Sequence, residues 1–66
     1  MTAMTEITLV HGERYRVEGD LEDVEERILR AARGSIMELA WLREAESGEQ
    51  LGINPEYVVM LRALGS

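Results

Sequence analysis

The chain contains no cysteine, no lysine and no phenylalanine, and it has one histidine and one proline. Without cysteine there is no disulfide and no thiolate nucleophile. One histidine and no cysteine also exclude a structural zinc site, which needs four N/S-type ligands. The seven basic residues are all arginine. That leaves no amine for a Schiff base, a phosphate-gripping loop or a lysine general base. Positive charge is scarce overall: seven basic residues stand against thirteen acidic ones, a formal net charge of -6. Nucleic-acid affinity rests mainly on basic groups neutralising phosphates, so this balance argues against a nucleic-acid binder. No apolar run approaches the roughly 18 residues of a membrane span, and no basic-then-apolar leader is read at the start. The expectation is a cytoplasmic protein with no membrane partner. The six glycines are dispersed and spell no phosphate-binding motif.

What is present is a 66-residue chain with 45% hydrophobic residues. Residues 1–66 read as a single domain, with 1–4 and 65–66 expected as frayed ends. A chain this short buries only about 60% of its unfolded surface, so its core is marginal.

Thr5 to Val10 and Glu13 to Glu18 read as two strands joined by a turn. Facing sets the turn length. A two-residue loop would put Leu9 opposite Arg14. A three-residue loop, Val10-His11-Gly12, pairs Ile7 with Tyr15, Thr8 with Arg14 and Glu6 with Arg16, and keeps one face apolar. Gly12 then stands where a left-handed residue is wanted. His11, the one histidine, falls in this turn with no orienting partner or nucleophile in view.

Asp20 is a good N-cap for a helix whose apolar residues Leu21, Val24, Ile28 and Ala31 recur at spacings of three and four, with Leu29 and Ala32 widening the face. Acidic residues crowd its first turns and Arg27, Arg30 and Arg33 its last, matching the helix dipole. Asp23 with Arg27 and Glu26 with Arg30 are favourable four-residue pairs. Gly34 is expected to end the helix in a left-handed conformation.

Ser35 to Ala45 reads as a long strand, and Glu46-Ser47-Gly48 as a second three-residue turn. Glu49 to Ile53 then returns with Leu51 opposite Arg43 and Ile53 opposite Trp41. Trp41 is expected in the core. Asn54-Pro55 breaks the strand, since Pro55 has no N–H to donate. Tyr57 to Leu64 resumes as a strand on the strength of its paired valines, with a helix from Pro55 to Leu64 as the alternative. The order strand, strand, helix, strand, strand, strand is an α+β plan: a small antiparallel sheet with one helix packed on one face.

The run Leu51-Gly52-Ile53-Asn54-Pro55-Glu56-Tyr57-Val58 resembles a strand, Asn-Pro, strand step of small bacterial proteins of the flagellar FlbD type. The stretch from Gly12 through Val17 to Ile28 is similar to their hairpin followed by a helix. In this chain the two pieces occur in the opposite order, and the resemblance implies no function and no site residue.

No catalytic, cofactor-binding or metal-binding residues are assigned, and an enzyme is the least expected reading. The leading expectation is a non-enzymatic interaction protein that assembles with itself. The sheet face away from the helix is polar along the first hairpin (Thr8, Arg14, Arg16). Along the second it is apolar, with Ile36, Ala40, Leu42, Val58, Met60 and Leu61 as the interface, the last segment offering either Val58 with Met60 or Val59 with Leu61. Ordering a chain costs on the order of 1.5 kcal/mol per residue, which one small core barely offsets. Burial between copies would add to it. The alternative is an acidic inhibitor or regulator that docks on a basic protein through Glu22, Asp23, Glu25 and Glu26.

Overall fold

The structure, a computed structural model, describes residues 3–34 and 38–64. Strand β1 (Met4–Leu9) and strand β2 (Arg14–Glu18) form the first hairpin, and helix α1 (Leu21–Ala32) follows. Strands β3 (Ala40–Arg43) and β4 (Gln50–Ile53) form the second hairpin. A 3₁₀ turn, Pro55–Tyr57, leads into strand β5 (Val58–Ala63). The α+β plan and its element order stand. The strands divide into two antiparallel sheets, one ordered β2-β1-β5 and the other β3-β4. A single bridge, Val17 to Glu44, links them.

The first hairpin has the expected register, Ile7 opposite Tyr15, Thr8 opposite Arg14 and Glu6 opposite Arg16. Gly12 has φ +93°, and its N–H donates to the Leu9 carbonyl at 2.9 Å, closing the three-residue loop. Asp20 caps α1, its carboxylate accepting the Asp23 N–H at 2.8 Å. Val24, Ile28 and Ala31 are the buried stripe of the helix, while Leu21, Leu29 and Ala32 are exposed. The apolar face is therefore narrower than the sequence reading made it. Gly34 corrects another expectation, because its φ is not positive. The last turn instead tightens, the Gly34 N–H donating to the Ala31 carbonyl at 3.1 Å. A three-residue hydrogen bond of this kind ends a helix without a left-handed residue.

The second hairpin differs from expectation by one residue. Ala40 pairs with Ile53, Trp41 with Gly52, Leu42 with Leu51 and Arg43 with Gln50. The loop is four residues, Ala45 to Gly48, closed by the Glu44 N–H on the Glu49 carbonyl at 2.8 Å. Gly48 has φ +77° at the last loop position. A terminal left-handed glycine suits three- and four-residue loops alike, so it does not set the length. Facing does: only the four-residue loop puts Ala40, Leu42, Leu51 and Ile53 on one side, and a one-residue slip reverses every side chain. Trp41 is consequently 55% exposed and not in the core. It lies over Gly52, where an added Cβ would sit 2.9 Å from the indole. The strand expected from Ser35 to Ala45 is confined to Ala40–Arg43 among the described residues.

The core joins Ile7 and Val17 of the first sheet, Val24, Ile28 and Ala31 of the helix, and Ala40, Leu42 and Ile53 of the second sheet. Leu9, Leu51, Val58 and Leu61 pack against its margin. Helix α1 packs on β3, β5, the 3₁₀ turn and β1. One helix stripe thereby covers parts of both sheets.

Candidate interaction surface

The residues expected to form an apolar interface part company in the structure. Ala40 and Leu42 are buried in the core on the helix side of β3, so they are not a free surface, and this corrects the expectation. The reason is the register of the second hairpin, which turns their face inward and Trp41 outward. Ile36 lies outside the described residues. Val58 and Leu61 are half-buried against the core margin, and Met60 is 48% exposed.

Strand β5 carries the remaining residues of the expected interface. It pairs with β1: Thr5 faces Ala63, Glu6 faces Arg62, Ile7 faces Leu61 and Thr8 faces Met60. The register then shifts, with Leu9 facing Val58, so that Val59 is an extra residue on the β5 side. A bulge of this kind bends the strand and re-aims the side chain. Val59 is 61% exposed as a result. Among the described residues β5 has no neighbour on its other side. Sequence alternation alone did not separate Val58 with Met60 from Val59 with Leu61, and the bulge makes both pairings inexact.

The sheet face opposite the helix is polar and internally paired. Glu6, with its side chain 9% exposed, lies between Arg16 of β2 and Arg62 of β5. The Arg62 guanidinium donates to the Glu6 carboxylate at 2.8 Å. These two residues stand 56 positions apart, so no local pattern announces the pair. The Thr8 hydroxyl is buried on this face and has no hydrogen-bond partner among the described residues.

Two grooves flank the second hairpin. One, of about 390 Å³, is lined by all of β4 together with Leu9, Tyr15, Leu39, Asn54 and Tyr57. The other, of about 400 Å³, lies between α1 and β3 and is lined by Asp23, Glu26, Arg27, Arg30, Glu38 and Trp41 among others. Its charges largely satisfy one another. Arg27 lies 3.5 Å from Asp23, and Arg30 pairs with Glu26.

The acidic surface of the sequence reading lies on exposed helix positions. Glu22, Asp23, Glu25 and Glu26 are all exposed, with Asp23 and Glu26 held in those helical ion pairs. His11 is exposed in the first turn. Among the described residues no group of three or more His, Asp or Glu side chains could hold a metal ion, and no helix is long and apolar enough to cross a membrane. Comparison of the chain with protein-family models, with curated proteins and with solved structures finds no match.

Proposed function

We propose that this chain is a cytoplasmic, non-enzymatic interaction protein that assembles with itself, and that the contact runs along β5. The observation that carries this reading is the open flank of β5, which has no carboxylate and exposes Val59 and Met60. An apolar patch on an open strand invites pairing with another chain. The marginal core of so short a chain supplies the driving force, since burying this flank adds roughly 25 cal/mol for each Å² removed from water. Light scattering from low to high micromolar concentration tests it. The expected result is a mass above the monomer together with a melting temperature that rises with concentration, as mass action requires. A monomer with a concentration-independent melt overturns it.

A second reading rests on Glu22 and Glu25, which are exposed and make no ion pair among the described residues. They would present negative charge to a basic protein partner. Such a complex weakens as salt screens it. Self-association of an acidic chain responds to salt in the opposite direction, so ionic strength separates the two readings.

A further inference from the structure

We propose that the partner on β5 is a second copy of this chain, joined as an antiparallel pair centred on Leu61, so that two three-stranded sheets become one of six strands. This rests on the self-assembly reading above and adds its geometry.

The alternation of backbone groups is the first argument. The Leu64 N–H donates to the Met4 carbonyl at 3.0 Å, and the Gly19 N–H to the Ala3 carbonyl at 2.9 Å. Antiparallel strands exchange bonds at every second residue. Arg62 and Met60 therefore bond back toward β1, while Leu61 and Ala63 direct their N–H and C=O groups to the open side. These groups form a ready ladder for another strand.

The second argument is how little protects this edge. Natural edges are blunted by lysine, proline, an inward charge or a bulge. Strand β5 has no proline and no lysine, its bulge is confined to Val59 near its start, and its one charge, Arg62, is drawn onto Glu6 on the outer face of the sheet. The other side of this sheet is engaged, because β2 is bridged at Val17 to Glu44 and the Ala45 N–H donates to the Arg16 carbonyl at 2.8 Å. Strand β4, also an outer strand, is four residues long, includes Gly52, and lines the groove shared with Tyr15 and Tyr57. The edge offered to another copy is β5. Two acidic chains also approach with least repulsion along a strand that bears no carboxylate.

The third argument selects the register. Centring the pair on Arg62 sets two arginines directly opposite each other, which is unfavourable. Centring it on Met60 sets Arg62 against the partner's Val58 and carries Ala63 against the Pro55–Tyr57 turn, where the ladder stops. Centring it on Leu61 places Leu61 against the partner's Leu61 and Met60 against the partner's Arg62, and brings Ala63 beside the partner's bulged Val59. The outward-directed Leu61 then meets its own copy and no like charges face each other. The two-fold axis stands perpendicular to the sheet, both helices lie on one face, and the contact closes on itself as a dimer without growing into a filament.

The protein has no cysteine, so engineered thiols report the register without background. The double variant V59C/A63C is oxidised and run on a non-reducing gel beside M60C, with light scattering on each. In the proposed register Val59 and the partner's Ala63 are cross-strand neighbours, within disulfide reach. The two Met60 positions are offset diagonally by more than about 7 Å, beyond it. The expected result is a linked dimer for V59C/A63C and none for M60C. Charge provides a second readout on an exposed position that leaves the core intact. M60E faces the partner's Arg62 and holds the dimer, whereas M60K weakens it about tenfold. A linked dimer for M60C alone overturns the Leu61 register, and equal weakening by M60E and M60K does the same. An oligomer that links at neither position overturns the β5 pairing while self-assembly stands. A monomer at every concentration overturns both.

Discussion

Replacing Leu42 with alanine, and separately Trp41 with alanine, sets the two faces of β3 against each other. Leu42 is 3% exposed in the core, opposite Leu51. Trimming it loses about 2 kcal/mol of transfer free energy. The hole left between α1 and β4 adds about 1 kcal/mol, for a total near 3 kcal/mol. Trp41 is more than half exposed, and its main service is to cover Gly52. Losing that cross-strand contact costs about 1 kcal/mol. A chain of 66 residues has a total stability of roughly 3–10 kcal/mol. Leu42→Ala therefore removes a large share of it and lowers the melting temperature by roughly 12–24 °C, against roughly 4–8 °C for Trp41→Ala. The assay is thermal unfolding followed by circular dichroism at one fixed protein concentration, because the proposed self-association would couple the melt to concentration. In the parent protein, Trp41 emission should be red-shifted and readily quenched by iodide. If Trp41→Ala proves as damaging as Leu42→Ala, or if the emission is blue-shifted and protected, the four-residue loop and the register built on it are wrong.

Gly12→Ala should cost about 1–2 kcal/mol, since φ is +93° there, whereas Gly34→Ala should change stability by less than about 0.5 kcal/mol. At Gly34 the nearest atoms an added Cβ meets among the described residues are those of the Glu38 carboxylate, the far end of a flexible side chain that can swing aside. Comparable losses in urea titrations of the two variants would contradict the helix ending described above. Thr8→Val should raise stability by about 1 kcal/mol, because it removes a buried hydroxyl that has no partner among the described residues while keeping its shape. A lower denaturation midpoint for that variant would show that the hydroxyl is satisfied in solution. Raising ionic strength should tighten the proposed self-association, since each copy carries a net charge of -6. Sedimentation at two salt concentrations checks this, and dissociation at the higher one would count against an apolar β5 contact.

The sequence by itself determined whatever local periodicity encodes. The first hairpin was legible because Ile7 and Leu9 alternate with Thr8 and Arg14, and only one loop length keeps them apart. The helix was legible from Asp20, the three-and-four spacing of Val24, Ile28 and Ala31, and the sign change of charge along it. Pro55 and the paired valines marked the turn and the strand after it. The second hairpin carried the same information in Ala40, Leu42, Leu51 and Ile53. The sequence reading of that turn followed the Gly48 signal, which is blind to one residue of loop length.

For the interaction surface, the sequence showed that Val58 to Leu61 is apolar and belongs to a strand. It did not show which strand would lie beside it. That choice belonged to the tertiary structure, because backbone hydrogen bonds are alike along every strand and carry no address. The address comes from burial: β5 lies against β1 since that arrangement covers Ile7, Val58 and Leu61 beneath the one stripe α1 can offer. The same arrangement brings Arg62 to Glu6 across 56 residues, buries Ala40 and Leu42, and turns Trp41 outward. It also leaves the far side of β5 without a neighbouring strand among the described residues. Side-chain pattern specifies the elements, but only their joint packing decides which apolar residues remain exposed.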